Sequence, residues 1–558
     1  MSPDEKALRL IAEQARDRLP GLLADPGQAG RIAGLLTDAL AKRPGPLAQL
    51  ALHRALRADP ALERWARAEI RTVESRLRAE PGTAPPARYL TTSLPGRSRG
   101  AKRLALHAAI TLDGGPGSVP VRPFPIPPSG VDVLISVASE TLLIENDEVQ
   151  RVRVRPDTDS ETVLFVLAAP AAGRHEVRVR AFLADGGGEV SAMTRTVVVD
   201  PAGPTEAPRT LTARMDHLAA AEPGGVTLQI DRSARGLAFR VIGADLPAVS
   251  AAAAPPGMIR DILRDAHQMA TGRTTFTPGR ARRRMADWGI TLWDLVPPAV
   301  REEVTARLTR PGVTGLTLST DVGTVPWELL TDPAGDGFLV DRMPLVRQTG
   351  TRPAARSLTL ADPVFVVGSN PPPAAEDEIR KVYRLLVDPG EPDRAGTQER
   401  LVARIDAGDF NLLHLACHQA QPEDGRGGGV QMSDGPFQPV ALAKAVRGVA
   451  LDRRCPLVFF NACRSLDGGS YDTLMGGWAD RFLRAGAGAF VGSSWAVRSD
   501  TAGVFAVAFY EAFVGGLPLG QASLAARRAV AGDESDPTGL AYAVYGDPAA
   551  VVTPGGEW

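Results

Sequence analysis

A thiol and an imidazole carry the reactive chemistry of this chain. Cys463 ends the run Leu457-Val-Phe-Phe-Asn-Ala-Cys463, and His418 ends the run Leu412-Leu-His-Leu-Ala-Cys-His418. A thiol attacks a carbonyl only as thiolate, so it needs a base or a lowered pKa. His418 is the candidate base, and it would later protonate the leaving amine as a general acid. Backbone N–H groups, those of Cys463 and Gln419, would meet the tetrahedral oxyanion. Water would then release the acyl-enzyme. This chemistry calls for no metal and no cofactor.

The other members of these runs read as structural. Cysteine is among the most buried residue types, so a cysteine closing an apolar strand is usually inert packing. Strand alternation turns Cys417 away from His418, and Cys455 precedes its strand. His414 shares a strand face with His418 but lies about 13 Å further in, which makes it a core histidine. The glycine cluster 425–429, with Arg426 inside, has no Lys-Ser/Thr and is no phosphate loop.

The elements that must position the pair follow from the pattern. Each run is short and apolar on both faces, which suits a strand inside a parallel sheet. The two residues are 45 apart, enough for a loop, a helix and a return to a parallel neighbour. Both then sit at strand carboxyl ends, where open α/β sheets place their sites. Strand–helix alternation continues around the runs. A helix is expected over 374–386, another beginning at Leu474, a strand over 488–492, helices over 500–514 and 518–531, and a last strand over 541–545. Upstream, Val226–Ile230 and Leu237–Val241 read as a hairpin, with helices around 259–269 and 298–308. The unit 205–558 is therefore α/β with a mostly parallel central sheet, divided into an N-terminal lobe (205–350) and a catalytic lobe (351–558).

Two further domains precede it. Residues 1–82 read as an α-helical bundle. Ser2-Pro-Asp-Glu5 is a capping box, and Ile32, Leu35, Leu36, Ala39 and Leu40 mark one helical face. The functional expectation is an adaptor that recruits a regulatory partner. Residues 83–204 change to period two. Val152-Arg-Val-Arg and Val177-Arg-Val-Arg-Ala181 alternate apolar with charged, as an Ig-like β-sandwich with solvated outer faces does. Asp200-Pro-Ala-Gly-Pro204 reads as the linker that follows.

The totals limit the function class. A length of 558 residues calls for several cores. A net charge of −1 from 63 basic and 64 acidic residues gives no global field for nucleic acid. No long apolar run calls for a membrane span. Three cysteines, close together, make no secreted disulfide framework and fit a reducing cytoplasm, so a cytoplasmic protein is expected. Heavy use of Ala, Arg, Gly and Pro suggests a GC-rich bacterial gene.

The ordered motifs resemble a known family. A histidine some tens of residues before an apolar-x-Ala-Cys strand end is similar to the caspase-like cysteine peptidases, the clan of caspases, separases and gingipains. More closely, residues 205–558 resemble the CHAT family. The matching segments are Val325-Pro-Trp-Glu-Leu-Leu330, Leu339-Val-Asp-Arg-Met-Pro-Leu-Val-Arg347, His414-Leu-Ala-Cys-His418, Phe460-Asn-Ala-Cys463, Ala485-Gly-Ala-Gly-Ala-Phe-Val-Gly-Ser-Ser-Trp495 and Tyr545-Gly-Asp-Pro548. The resemblance implies a cysteine endopeptidase in defence or programmed cell death signalling. Its substrate would be a protein, and its switch a partner or the upstream domains. It implies that Asn461 lines the pocket for the substrate's P1 side chain. It also implies that Asp500, or the nearby Asp472, answers a basic P1 residue, although Asp500 also suits a helix cap. The family usually has Gly after the histidine, where this chain has Gln419. That departure keeps a second reading open, a catalytically weak scaffold that signals by binding.

Overall fold

A computed structural model of the chain describes residues 88–553 apart from 101–102, 115–125, 185–188, 204, 215–224, 245, 271–280, 333–336, 350–354, 369, 388–389, 421–428, 465–473 and 533–535. The helices expected over 1–82 lie outside the described residues, as do Asp472 and most of the glycine cluster at 425–429.

The period-two region forms two five-stranded sheets. One runs in the order Pro208–Arg214, Tyr89–Pro95, Arg103–Thr111, Val163–Ala168, Leu143–Ile144. The other runs Arg97–Ser98, Glu189–Val199, Gly173–Leu183, Val131–Ala138, Val149–Val154. Alternate residues from both, such as Leu104, Leu106 and Ile110 against Val177, Val179 and Ala181, share one buried core. The first sheet takes a strand from beyond the expected boundary at 204. Pro208–Arg214 pairs antiparallel along all of Tyr89–Pro95, so the chain returns to the sandwich after its linker.

The charged rows of this region do not all face water. Arg151 and Arg153 stay near the surface beside Asp132. Arg180, by contrast, is 1% exposed. Its guanidinium ion-pairs with Asp231 at 2.9 Å and donates to Ser319 Oγ at 3.0 Å. Arg178 pairs with Asp321 at 2.6 Å. From Arg178 onward the outer face of their strand meets the large sheet instead of solvent, while Arg174 and Glu176 on the same face stay exposed. Period two reports only that two faces differ; it does not say what covers the second.

Among the described residues that large sheet has thirteen strands. Its centre runs Gly225–Ser233, Gly315–Thr320, Leu345–Gln348, Tyr542–Tyr545, Ala489–Ser493, Leu457–Arg464, Leu412–Ala420, Pro363–Val366. The pairs are parallel except at Tyr542–Tyr545 against Ala489–Ser493. Strands on the two sides of that pair therefore run in opposite senses. The carboxyl ends that bear His418 and Cys463 lie at one edge of the sheet. Those that bear Asp231 and Ser319, where the sandwich docks, lie at the other. The hairpin expected at 226–241 is present, Gly225–Ser233 pairing antiparallel with Gly236–Val241. It extends the same sheet.

Helices cover both faces. Ala375–Leu386 and Ser499–Val514 lie over the face of His414 and Phe459. Gln398–Ala407 and Leu474–Ala485 lie over the other, where Leu413, Leu415, Val458 and Phe460 pack with Leu401, Ile405, Trp478 and Phe482. The helix before the histidine strand has a clear start and stop. Thr397 Oγ1 accepts the Arg400 N–H at 3.3 Å, and Gly408 ends it at φ 62°. A Cβ at Gly408 would lie 2.0 Å from the Ala450 carbonyl oxygen, so no other residue fits the turn into the strand.

Three of the quoted sequence segments meet in this core. Glu328 of Val325–Leu330 and Arg347 form a two-armed ion pair with both side chains 1% exposed, one arm being Nε to Oε1 at 2.8 Å. Arg347 also lies 5.7 Å over the ring of Tyr545. A buried carboxylate and guanidinium persist because each satisfies the other.

Candidate active site

His418 and Cys463 are register partners on adjacent parallel strands. Neighbouring strands lie about 4.8 Å apart, which brings the two positions side by side at the carboxyl edge. His418 is half-buried, and burial holds its pKa below the ordinary imidazole value. Its imidazole is thereby biased toward the neutral form that accepts a proton. Gln419 follows with a ladder partner on each side, Arg464 in parallel and Val430 in antiparallel. The histidine strand thus continues through Ala420 without the break that Gly would allow.

Beneath this pair lies a polar core. His414 is fully buried and stacks on Phe459, its own register partner, with ring centroids 5.1 Å apart. Its Nε2 meets Glu378 Oε1 at 2.9 Å, and its Nδ1 meets the Tyr510 hydroxyl at 3.1 Å. Asn461 donates from Nδ2 to the same Glu378 oxygen at 2.8 Å and accepts the Tyr542 hydroxyl at 2.9 Å. A carboxylate only accepts, so His414 donates from Nε2 and receives the Tyr510 proton at Nδ1. Every group in the chain of contacts then has a partner. Burial and the Glu378 charge raise the Tyr510 pKa well above its ordinary value, so its hydroxyl stays a donor. His414 is a satisfied core histidine, as its place on the strand predicts.

Asn461 lies inside the protein. It is 3% exposed, and both ends of its amide are taken inside the protein. Its amide faces Glu378 and Tyr542, inside the protein. Asp500 is exposed and tied to Arg498 through two contacts, at 3.2 and 2.8 Å. The Arg498 hydrogen bonds, the first cause, and the Thr501 amide hold its pKa below the usual carboxylate value.

Residues 288–547 match the CHAT domain family. The match covers just under half of the chain. No curated protein matches it. Among solved structures, two crystal structures of the Saccharomyces cerevisiae separase–securin complex are similar in part. One has a TM-score of 0.35 and 12% identity over 59% of this chain and 30% of that one. The other has a TM-score of 0.29 and 13% identity over 55% of this chain and 23% of that one. The chain therefore spans less than a third of the length of either.

The CHAT match holds both His418 and Cys463 and every segment quoted for the resemblance except its last residue, Pro548. Its start at 288 leaves out the hairpin at Gly225–Val241, although those strands belong to the same sheet. Within the match the cysteine of the histidine strand is a core residue. Cys417 is fully buried on the opposite face among Leu413, Leu415 and Val430, with its thiol on the Val366 carbonyl at 3.2 Å. Cys455, half-buried ahead of the cysteine strand, places its thiol 3.0 Å from the Asp452 carbonyl. Glu378 is the residue that reading the sequence missed. One signal was available: Ala375, Glu378, Ile379 and Val382 make the buried stripe of their helix, so an acid stands where apolar residues are expected. Ser493 Oγ and Trp495 Nε1, at and just beyond the end of the next strand, are buried and make no hydrogen bond among the described residues.

Proposed function

We propose that this chain is a cysteine endopeptidase with Cys463 as nucleophile and His418 as base and then acid. The observation that carries the proposal is the register pairing of His418 with Cys463 at the carboxyl edge of parallel strands, inside the CHAT match. The thiolate attacks the scissile carbonyl. His418 protonates the leaving amine, and water hydrolyses the thioester. The amides of Cys463 and Gln419 are the proposed oxyanion donors. A basic P1 side chain would find Asp500 by exchanging with Arg498. The substrate is a protein, and the setting is defence or programmed cell death in a bacterial cytoplasm. Control comes through the N-terminal region, read as a helical adaptor, or through a partner. Among the described residues no helix is long and apolar enough to cross a membrane.

A panel of fluorogenic peptides with Arg, Lys, Asp or Leu at P1 tests the reading, with the full chain and its Cys463→Ala and His418→Ala variants. Cleavage lost in both variants supports it. Cleavage retained in both overturns it. The second reading, a scaffold that signals by binding, draws support from Gln419. The family usually has Gly there, and here the backbone is paired on both sides. Gln419→Gly separates the two readings, since a gain in turnover marks a peptidase held back at this position.

A further inference from the structure

We infer that Glu378 is a positioning residue, a clamp that holds the histidine and cysteine strands in register beneath the dyad. The inference rests on the peptidase reading. One oxygen of Glu378 accepts from both strands, from His414 Nε2 at 2.9 Å and from Asn461 Nδ2 at 2.8 Å. These residues are four and two positions before His418 and Cys463, on the faces those positions share.

The clamp is itself fixed. Glu378 is 4% exposed in the first turn of its helix. The residue before that helix, Ala374, donates its N–H to Ser499 Oγ at 3.0 Å, which ties the helix to the start of Ser499–Val514. Gly503 of that second helix lies against Glu378; a Cβ there would come within 3.7 Å of Oε2. Tyr510 and Tyr542 close the far sides, on His414 and Asn461. A movement of either helix thus reaches the two strands through one carboxylate. A displacement of about 1 Å between nucleophile and base is enough to cost on the order of a hundredfold in rate. Removing the carboxylate leaves two buried donors without an acceptor, so the strand ends relax.

The test is the pH dependence of Cys463 alkylation by iodoacetamide, with the label located by mass spectrometry so that Cys417 and Cys455 do not contribute. In the wild type the midpoint is expected well below the ordinary thiol value of about 8.5. Glu378→Ala is expected to raise it by about one unit and to lower kcat about tenfold with little change in KM. Glu378→Gln keeps an oxygen that accepts from both strands and is expected to restore the wild-type midpoint. A purely structural role would lower the melting temperature and leave the midpoint alone. A folded Glu378→Ala with the wild-type midpoint therefore overturns the inference. His418→Ala separates the two ideas. If it raises the midpoint and Glu378→Ala does not, the dyad stands and the clamp falls. If the wild type already titrates at about 8.5, unmoved by His418→Ala, the peptidase reading fails and takes the clamp with it. Should Glu378→Ala not fold, Tyr542→Phe removes only the hydroxyl that fixes Asn461. An upward shift is expected there too, and no shift overturns the inference.

Discussion

Arg180 of the sandwich and Asp231 of the large sheet meet at 2.9 Å, with side chains 1% and 3% exposed. Glu189 lies on the other side of the same guanidinium at 3.7 Å and accepts the Ser319 hydroxyl at 2.8 Å. Arg178 and Asp321 add a second cross-junction pair. Two cations thus face three carboxylates where little water reaches.

Replacing Arg180 by Met is expected to leave Asp231 and Glu189 buried without their cation. Breaking one side of a buried pair costs about 3–5 kcal/mol. Denaturant unfolding should show that loss, and Arg180→Met with an unchanged midpoint would mean that the junction opens to water.

Glu189 makes the junction sensitive to pH. Burial, opposed by Arg180, raises its pKa from 4.5 to about 7. A carboxyl raised on folding lends stability below its unfolded value, and that stability is lost as pH rises through the folded value. The melting temperature should fall by a few degrees between pH 5.5 and 8 for this reason. Glu189→Gln, which cannot ionise, should lack that part of the fall; a parallel fall in the variant would assign it to other groups.

The half-buried His418 should titrate below the ordinary imidazole value of about 6.5. Following its ring protons by NMR in Cys463→Ser, which uncouples the thiol, reads this directly. A midpoint above 6.5 would show that a carboxylate or the solvent outweighs burial at this edge.

Ser493 offers a test at the strand next to the cysteine strand. Its hydroxyl is 2% exposed as a residue and makes no hydrogen bond among the described residues. Replacing an unsatisfied buried polar group by an apolar one of similar shape is neutral or stabilising. Ser493→Ala should therefore keep or raise the melting temperature by about 1 °C. A fall of several degrees would reveal a partner made in solution.

The sequence alone determined the two strands that end near His418 and Cys463. Two apolar runs ending on His418 and Cys463, at the right separation, could form parallel neighbours in only a few ways, and the register is one of them. It also placed His414 in the core, because alternation along a single strand is a local property. Only the tertiary structure decided what those faces meet. Arg178 and Arg180 read as solvated because a charged row looks the same whether water or counter-charges lie opposite. Asn461 gave no sign of its partners, since Glu378 and Tyr542 come from 83 positions before it and 81 after. Glu378 itself was a single acid in an apolar stripe, and nothing local says that two strands converge on one of its oxygens. Hydrogen-bond partners over such separations are set by how the helices pack on the sheet, and that packing is a property of the whole chain.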